Sequence, residues 1–384
     1  MPRMETNKDW RLDLLRIRCR IKKKWQALRK AEQTTYVWDR IPLYREIWGQ
    51  AASELSAQFT ELAEGIWEVA RGGRRTRICN HMVQLDDPVI YHLAGNKTFC
   101  YALLGAQKIP AARHAAFRLH EFHKAEQFME RNEGFVVVKP ANGTSAGMGV
   151  TTHIASIREC REAAALASLY SDELIIEQFI PGESYRVLVL DNEVIHASRR
   201  SGLRVRGDGK STLWQLAMRE DSLRRGRNGD GPGRLREDDR DFAATLKAQG
   251  LTPESIPTTG RCLLVKSVAG PLQRTDEVRT VYTENVMGLI GPDIRRRAVQ
   301  AAGSLHSRFA GVDIITLDPA VPLEKSGGVV VEINTTPGLH HHYHLDHDNG
   351  ISPAIRVLEH ILNRASPGVN RKPRRDAKKC SGAL

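Results

Sequence analysis

The run "VVVEINTTPG" at residues 329–338 constrains this chain more than any other ten residues. Side chains alternate across a β-strand, so Glu332 and Asn334 share one face while Val331 and Ile333 share the other. A carboxylate inside such an apolar run is costly unless it is paired or binds a metal. Upstream, "GVDIITLD" sets Asp313 among Val312, Ile314 and Ile315, a second acid in apolar sequence. If the two runs are antiparallel neighbours, joined by the excursion "PAVPLEKSGG", then Asp313, Glu332 and Asn334 converge. Three oxygen ligands of this kind suit Mg²⁺ better than a softer metal. The competing reading, an acid and amide bracing the turn "NTTPG", explains Asn334 but leaves Asp313 and Glu332 unexplained.

A second constellation lies earlier. "GFVVVKP" predicts a buried strand closed by Pro140, with Lys139 at its end, and an ammonium there needs an anion. The following "NGTSAGMGVTTHI" interleaves Gly143, Gly147 and Gly149 with Asn142, Thr144 and Ser145, a loop whose backbone N–H groups can approach phosphate oxygens. It matches neither the Walker A nor the GxGxxG pattern, and glycine-rich turns also occur in ordinary hairpins. Further on, "ELIIEQFI" and "SYRVLVL" predict two strands, with Asp191-Asn192 as a hairpin turn before "EVIHAS". Glu177 ends the first of them, placed either for the edge of a purine or as a connector into Pro181-Gly182.

Composition narrows the class. With 384 residues, 41% of them hydrophobic, the chain can bury a substantial core and has length for two or three domains. No stretch approaches the roughly 18 consecutive apolar residues of a membrane span. The opening "MPRMETNKDWRLDLL" lacks the apolar region of a signal peptide, so a cytoplasmic protein is expected. Cys19, Cys79, Cys100, Cys160, Cys262 and Cys380 are scattered without a CxxC pair, which predicts reduced packing cysteines. The net charge of +12 belongs to the ends: residues 1–31 hold 11 Lys/Arg against 3 Asp/Glu, and residues 364–384 hold 7 against 1. The first end predicts an amphipathic helix with Leu12, Leu15 and Cys19 on one face. Packing on the body or a partner subunit is favoured over binding nucleic acid or a membrane surface. The Pro/Gly-punctuated second end predicts a disordered tail.

In order along the chain, Lys97 in "AGNKTFCYALLGAQKIP", Lys139 in "FVVVKPANGTSAGMGVT", Glu177 in "LIIEQFIPGESYRVLVL", Asp313 in "GVDIITLD" and the run "VVVEINTTPGL" together resemble the ATP-grasp superfamily. The resemblance spans about residues 75 to 362. Within it, "RVRGDGKSTLWQL" at 204–216 and "LKAQGLTPESIPTTG" at 246–260 are most similar to the ATP-grasp module of cyanophycin synthetase and its relatives. The resemblance implies an α/β (α+β) fold in which two subdomains, each lending a sheet, clasp ATP. Along this chain it implies a basic helix at 1–33, a small α/β domain at 34–95, an ATP-grasp domain at 96–362 divided near 182/183, and the tail from 363.

The resemblance also implies roles. Lys97 and Lys139 match the phosphate-binding lysines, Asn142 to Gly149 the loop that closes over the phosphates, and Glu177, Gln178, Phe179 and Ile180 the hinge strand that reads adenine. Asp313, Glu332 and Asn334 match the ligands of Mg²⁺, two ions with Mn²⁺ as a substitute. Arg200 falls where relatives carry an arginine near the phosphates or the acyl substrate, which makes Lys139, Arg200 and Asn334 the catalytic candidates. Three departures stand out. The usual acid two residues after the hinge glycine is Ser184, with Glu183 one residue early, so the ribose contact rests on one of these. Gly311-Val312 replaces the basic residue that several amide-forming relatives place before the first metal aspartate, leaving Arg200 or Arg204 to supply the charge. "SVAGPLQRTDEV" stands where cyanophycin synthetases have a Ser/Thr-Gly-Gly stretch. Their large amino-terminal and Mur-ligase-like carboxyl-terminal domains have no counterpart here, so cyanophycin is not the expected product.

The implied chemistry is ligation of a carboxylate to an amine through an acyl phosphate, with an amino acid or peptide among the substrates and a homo-oligomer as the expected assembly. Arg186, Arg200 and Arg204 are candidates to grip the substrate carboxylate, and His340 and His341 to contact substrate or amine. The cluster His340, His341, His342, His344 and His347 has no usual zinc spacing, so substrate contact is preferred to a transition metal. Residues 219–239, charged and glycine-rich, are expected as a flexible loop or a basic lip at the substrate entrance. Two other classes stay open: a nucleotide-binding scaffold whose basic ends meet an acidic partner, and an ATP-dependent phosphotransferase.

Overall fold

The computed structural model describes residues 10–28, 40–142, 149–228, 235, 239–266, 282–343 and 352–363. Two helices, α1 (Trp10–Leu28) and α2 (Ile41–Glu54), precede an antiparallel meander of β1 (Gln58–Ala63), β2 (Ile66–Arg71), β3 (Arg74–Cys79) and β4 (Met82–Val83). Gly72 and Gly73 turn β2 into β3 with φ of 57° and 78°, the two positive values that a two-residue hairpin turn of matching twist requires. Asp87 then caps α3 (Pro88–Ala94), its Oδ1 accepting from the N–H groups of Val89 at 2.8 Å and Ile90 at 3.0 Å. Asn96 caps α4 (Lys97–Ala106) in the same way, accepting from the Phe99 N–H at 2.9 Å, and so fixes where Lys97 enters.

A four-stranded antiparallel sheet follows, in the order β5-β8-β6-β7, from β5 (His114–Phe117), β6 (Val136–Pro140), β7 (Thr151–Ile154) and β8 (Leu174–Gln178), with α5 (His123–Glu130) and α6 (Ile157–Ala167) between strands. Alternation assigns its two faces. Val136, Val138, Leu174 and Ile176 join the core under α6, while Lys139, Ile175 and Glu177 project to the other side. Leu12 of α1 is buried in that same core, and Arg16 donates to Ser168 O at 3.4 Å, so α1 lies on α6 as the outermost layer.

The second sheet is wholly antiparallel, in the order β13-β10-β9-β14-β15, from β9 (Glu183–Leu190), β10 (Glu193–Ser201), β13 (Tyr282–Asn285), β14 (Phe309–Thr316) and β15 (Val329–Thr335). One face, with Tyr185, Val187, Val189, Val312 and Ile314, packs on α9 (Pro292–Ser304). The other face is divided along its length. Leu188, Leu190 and Phe309 join one apolar cluster with α2, the meander and α12 (Pro353–Asn363), which follows the one-turn helices α10 (Leu323–Ser326) and α11 (His340–Tyr343), whereas Ser184, Arg186 and Asp313 continue the face beyond that cluster as polar positions. Residues 41–85 thus share their apolar cluster with the second sheet and α12, and their sheet is an antiparallel meander instead of a βαβ arrangement.

Between β10 and β13, a two-stranded ribbon of β11 (Leu203–Arg206) and β12 (Cys262–Lys266) packs with α7 (Leu213–Asn228) and α8 (Arg240–Lys247) around Phe242, Leu213 and Leu246. The stretch "GDGKST" turns the corner into α7. Asp208 accepts from the N–H groups of Lys210 and Ser211 at 3.0 and 2.7 Å, while Gly207 donates its N–H to Arg261 O and accepts at its own O from Gly260 N–H, each at 2.8 Å, and Gly209 N–H donates to Pro257 O at 3.2 Å. The expectation of a loop over 219–239 is corrected in its first part, where α7 continues to Asn228 and buries Asp221. Residues 229–234 and 236–238 lie outside the described residues. Trp67 is fully buried in the cluster that joins the meander to the second sheet, so Trp67→Ala should cost about 3–5 kcal/mol. A denaturant midpoint checks this, and an unchanged midpoint contradicts the shared core.

Candidate active site

A single row of side chains crosses three strands of the second sheet. Arg186 of β9 pairs in register with Asp313 of β14, and Asp313 with Glu332 of β15. The last pairing depends on a bulge: Ile314 faces Val330 but Asp313 faces Glu332, so Val331 is the extra residue that delivers Glu332 to the face of Asp313. The antiparallel hairpin expected from sequence is therefore present, with one residue more than simple alternation provides.

The row is held by charge. Arg186 engages Asp313 through Nε to Oδ1 and through a second N–H to Oδ2 at 2.7 Å, and both side chains are buried. Arg200 stands 3.5 Å from Asp313 Oδ2. Asn334 Nδ2 donates to Gly311 O and Asp313 Oδ2, each at 3.4 Å. Gly311 is required here, because a Cβ at that position would lie 2.8 Å from Arg186 Cδ and 2.9 Å from Pro337 Cβ. The charge that sequence comparison misses beside the first acid thus comes from Arg186 and Arg200, while Arg204 pairs with Glu183. Lys97 Nζ lies 3.2 Å from Glu332 Oε1. Burial alone would raise the Glu332 carboxyl, but Lys97, Arg186 and Lys139 outweigh it and hold its pKa at about 2. Burial likewise disfavours the Arg186 cation, and Asp313 more than restores it.

On the first sheet, Lys139 Nζ donates to Glu177 Oε1 at 2.8 Å and to Tyr101 Oη at 2.9 Å, and Tyr101 O–H donates to Glu177 Oε2 at 2.6 Å. All three are buried. Burial and the neighbouring Glu177 push the Tyr101 phenol well up, which keeps it a donor. Tyr101 escaped sequence reading, although it stands four residues after Lys97 on one helix and hence on the same face. Both Glu177 oxygens are engaged by these partners. The hinge is also committed to its own sheet: Gln178 N–H donates to Arg113 O at 2.9 Å, Gln178 Oε1 accepts from Arg113 Nε at 3.1 Å, and Phe179 N–H donates to Phe135 O at 3.0 Å. Ile180 and Pro181 lead to Gly182, where φ is 135° and the hinge comes so close to β14 that a Cβ would lie 2.5 Å from the Thr316 backbone.

The remaining expected residues distribute as follows. Asn142 Nδ2 donates to Glu173 Oε2 at 3.1 Å, and Gly149, with φ of 73°, turns against Pro140 and Tyr170. Gly143, Thr144, Ser145 and Gly147 lie outside the described residues, as do the His341 side chain, His344 and His347. Ser184 lies opposite Arg200 in register. His340 is clamped, with Nε2 2.5 Å from Arg40 Nη1 and Nδ1 2.5 Å from Tyr44 Oη, and burial together with Arg40 pushes its pKa down to about 2. Its ring is neutral. His342 Nδ1 sits 2.8 Å from His196 Nδ1, and burial lowers both imidazoles, His196 to about 4. Among the described residues, no group of three His, Cys, Asp or Glu side chains is placed to hold a metal.

Residues 103–210 match the family described as D-ala D-ala ligase C-terminus. The cyanophycin synthetase of Trichormus variabilis is 30% identical over 260 residues, which cover 65% of this chain and 27% of that protein. The glutathione biosynthesis bifunctional protein GshAB of Enterococcus faecalis is 28% identical over 275 residues, 68% of this chain and 34% of that protein. In structure, the bifunctional glutathione synthetase from Pasteurella multocida aligns with a TM-score of 0.58 at 19% identity, covering 85% of this chain and 44% of that one. Over residues 103–210 the chain is similar to that ligase family, and its fold is similar to that of the glutathione synthetase. The chain spans between a quarter and about a third of the length of these curated relatives, 27% and 34%.

ATP-grasp ligases use ATP and Mg²⁺, and the side chains present fit such a pair. Asp313, an ionised Glu332 and the Asn334 amide oxygen are hard donors. A carboxylate has about four lone-pair sites, so the two bonds from Arg186 and the longer one from Asn334 leave Asp313 acceptor capacity for a cation. Lys97, Lys139, Arg186 and Arg200 gather positive charge at the meeting of the two sheets.

Two measurements test this electrostatic frame. Arg186→Met should cost about 3–5 kcal/mol by stripping Asp313 of its main counter-charge, and adding Asp313→Asn should recover part of the loss. Denaturant midpoints of the single and double variants decide, and strict additivity contradicts the pairing. The Glu332 carboxyl is depressed in the folded state, so its contribution is complete above the ordinary value of 4.5 and fades as pH falls towards about 2. Over that window the wild type should lose stability more steeply than Glu332→Gln, and parallel curves contradict the assignment.

Proposed function

We propose that this chain is an ATP-dependent carboxylate–amine ligase that forms an amide bond through an acyl phosphate and releases ADP and phosphate. The observation that carries this reading is the convergence of four cations on two acids where the sheets meet: Lys97 on Glu332, with Arg186 and Arg200 on Asp313 and Lys139 close by. Similarity to cyanophycin synthetase and GshAB supports it. Residues 96–362 would form the ligase unit, with residues 34–95, the basic helix and the tail as additions.

In this scheme the substrate carboxylate attacks the γ-phosphorus of ATP, the β–γ bridge breaks, and ADP departs. The amine then adds to the acyl carbon, loses a proton and expels phosphate. Lys97 and Lys139 balance charge on the phosphates, as ammonium groups already placed between the sheets. Arg186 and Arg200 fix the Asp313 carboxylate, and Asn334 braces it from the next strand. Mg²⁺ held by Asp313, Glu332 and Asn334 would supply Lewis-acid polarisation of the phosphate oxygens. A second Mg²⁺, replacement by Mn²⁺, a homo-oligomeric assembly and a cytoplasmic setting belong to the same proposal. The acid and amine are drawn from amino acids or short peptides.

The test is an ADP-release screen of amino acids and short peptides, singly and in pairs, with mass spectrometry of products. ADP formation that needs both an acid and an amine is the expected result. Release with one substrate alone would make the chain a phosphotransferase. Glu332→Gln should lower turnover by about 10²–10³-fold, and undiminished turnover would remove Glu332 from the metal site.

A further inference from the structure

Helix α1 has two apolar faces, and the body covers one. Leu12 is buried beneath it and Arg16 ties the same side to Ser168 and Asp172. On the opposite side Trp10, Leu14, Ile17 and Ile21 are 62%, 54%, 51% and 53% exposed. Their spacing of four, three and four residues aligns them in one stripe along the helix. At 100° per residue, Arg11 and Arg18 border one edge of the stripe and Arg20 and Asp13 the other, all four exposed. The helix holds seven Lys/Arg against one Asp.

We propose that α1 is an interfacial helix that docks this protein in-plane on an anionic lipid surface, with the Trp10–Leu14–Ile17–Ile21 stripe at the acyl boundary and its arginines among the headgroups. The charge pattern selects this occupant. An apolar stripe bordered by Arg11 and Arg18 on one edge and by Arg20 with Asp13 on the other is net cationic, three charges to one, and so is complementary to a surface that is apolar within and anionic around, as an acidic bilayer is. A second copy of the chain would bring three arginines and one aspartate against the same set, a net repulsion. The layer order agrees: α1 is outermost, α6 and the first sheet lie behind it, and Lys139 and Glu177 project from the far face of that sheet. Docking therefore leaves the candidate active site uncovered. Attachment is peripheral, since no helix among the described residues is long and apolar enough to cross a membrane.

The test is co-sedimentation of the full chain with phosphatidylcholine vesicles and with vesicles containing about 30 mol% phosphatidylglycerol. Binding to the anionic vesicles, little binding to the neutral ones, and weakening by salt are expected. Leu14→Glu with Ile17→Glu should lower partitioning at least about tenfold, and Arg11→Gln with Arg18→Gln should reduce the preference for anionic lipid. Because the altered side chains are exposed, an unchanged thermal midpoint verifies folding. Equal sedimentation of wild type and the apolar-face variant overturns the proposal. So does a change of molecular mass in light scattering on making that variant, which assigns the stripe to a second copy. Salt-sensitive binding to poly-glutamate without vesicle binding also overturns it, in favour of an acidic protein partner. None of these outcomes depends on ligase activity.

Discussion

The Arg186–Asp313 pair is the contact around which the rest of the site is arranged. It sits on the central strand of the second sheet and its neighbour, buried, with both carboxylate oxygens engaged. A lone carboxylate at that depth would be driven towards its neutral form, and a lone guanidinium would be costly to bury. Together they place an acid and its counter-charge inside a sheet. Glu332 and Asn334 align on it from the next strand, Arg200 from the other side, and Gly311 is small so that Arg186 can lie across it. Such a pair contributes little net stability over an apolar substitute. Its value is positional.

The divided face of the second sheet explains how one small architecture carries both a core and a site. Along β9 the outward residues run from Ser184 and Arg186 to Leu188 and Leu190, so the strand changes from polar to apolar within two turns of the pleat. The apolar end is sealed by α2, the meander and α12, whose cluster also takes in Leu339 just after β15. Arg40 and Tyr44 reach His340 from that same layer. The segment after β15 is thus held by residues nearly three hundred positions earlier in the chain, a coupling between the amino-terminal layer and the edge of the candidate site.

Much of this was legible in the sequence and some was not, for identifiable reasons. Period-two alternation showed that Glu332 and Asn334 share a face, and acids in apolar runs marked Asp313, because burial of unpaired charge is too costly to be casual. Strand boundaries at Lys139 and Glu177 were visible too, but their mutual pairing was not: it depends on register between β6 and β8, which no local pattern encodes. Glu177, expected to face a base, spends its carboxylate on Lys139 and Tyr101. Arg186, a candidate to grip substrate, holds Asp313 through both carboxylate oxygens. The glycine-rich "GDGKST", which carried resemblance without an assigned role, is an Asx corner into α7, with Asp208 held well below the usual carboxylate range by the backbone N–H groups of Ser211 and Lys210. A charged stretch hid the continuation of α7, since polarity alone does not separate a solvated helix from a loop.

The bulge at Val331 makes the identity of the residue facing Asp313 a matter of parity. Loss of Val331 itself would leave Glu332 opposite Asp313, because the ladder would simply run on without its extra member. Flattening the bulge while keeping every residue would instead slide the far half of the strand by one place. Val331 would then meet Asp313, Glu332 would meet Val312, and the acid and the amide would turn towards α9. The composition would be identical and the hydrogen-bonded ladder intact, yet the oxygen donors would be facing the wrong hemisphere.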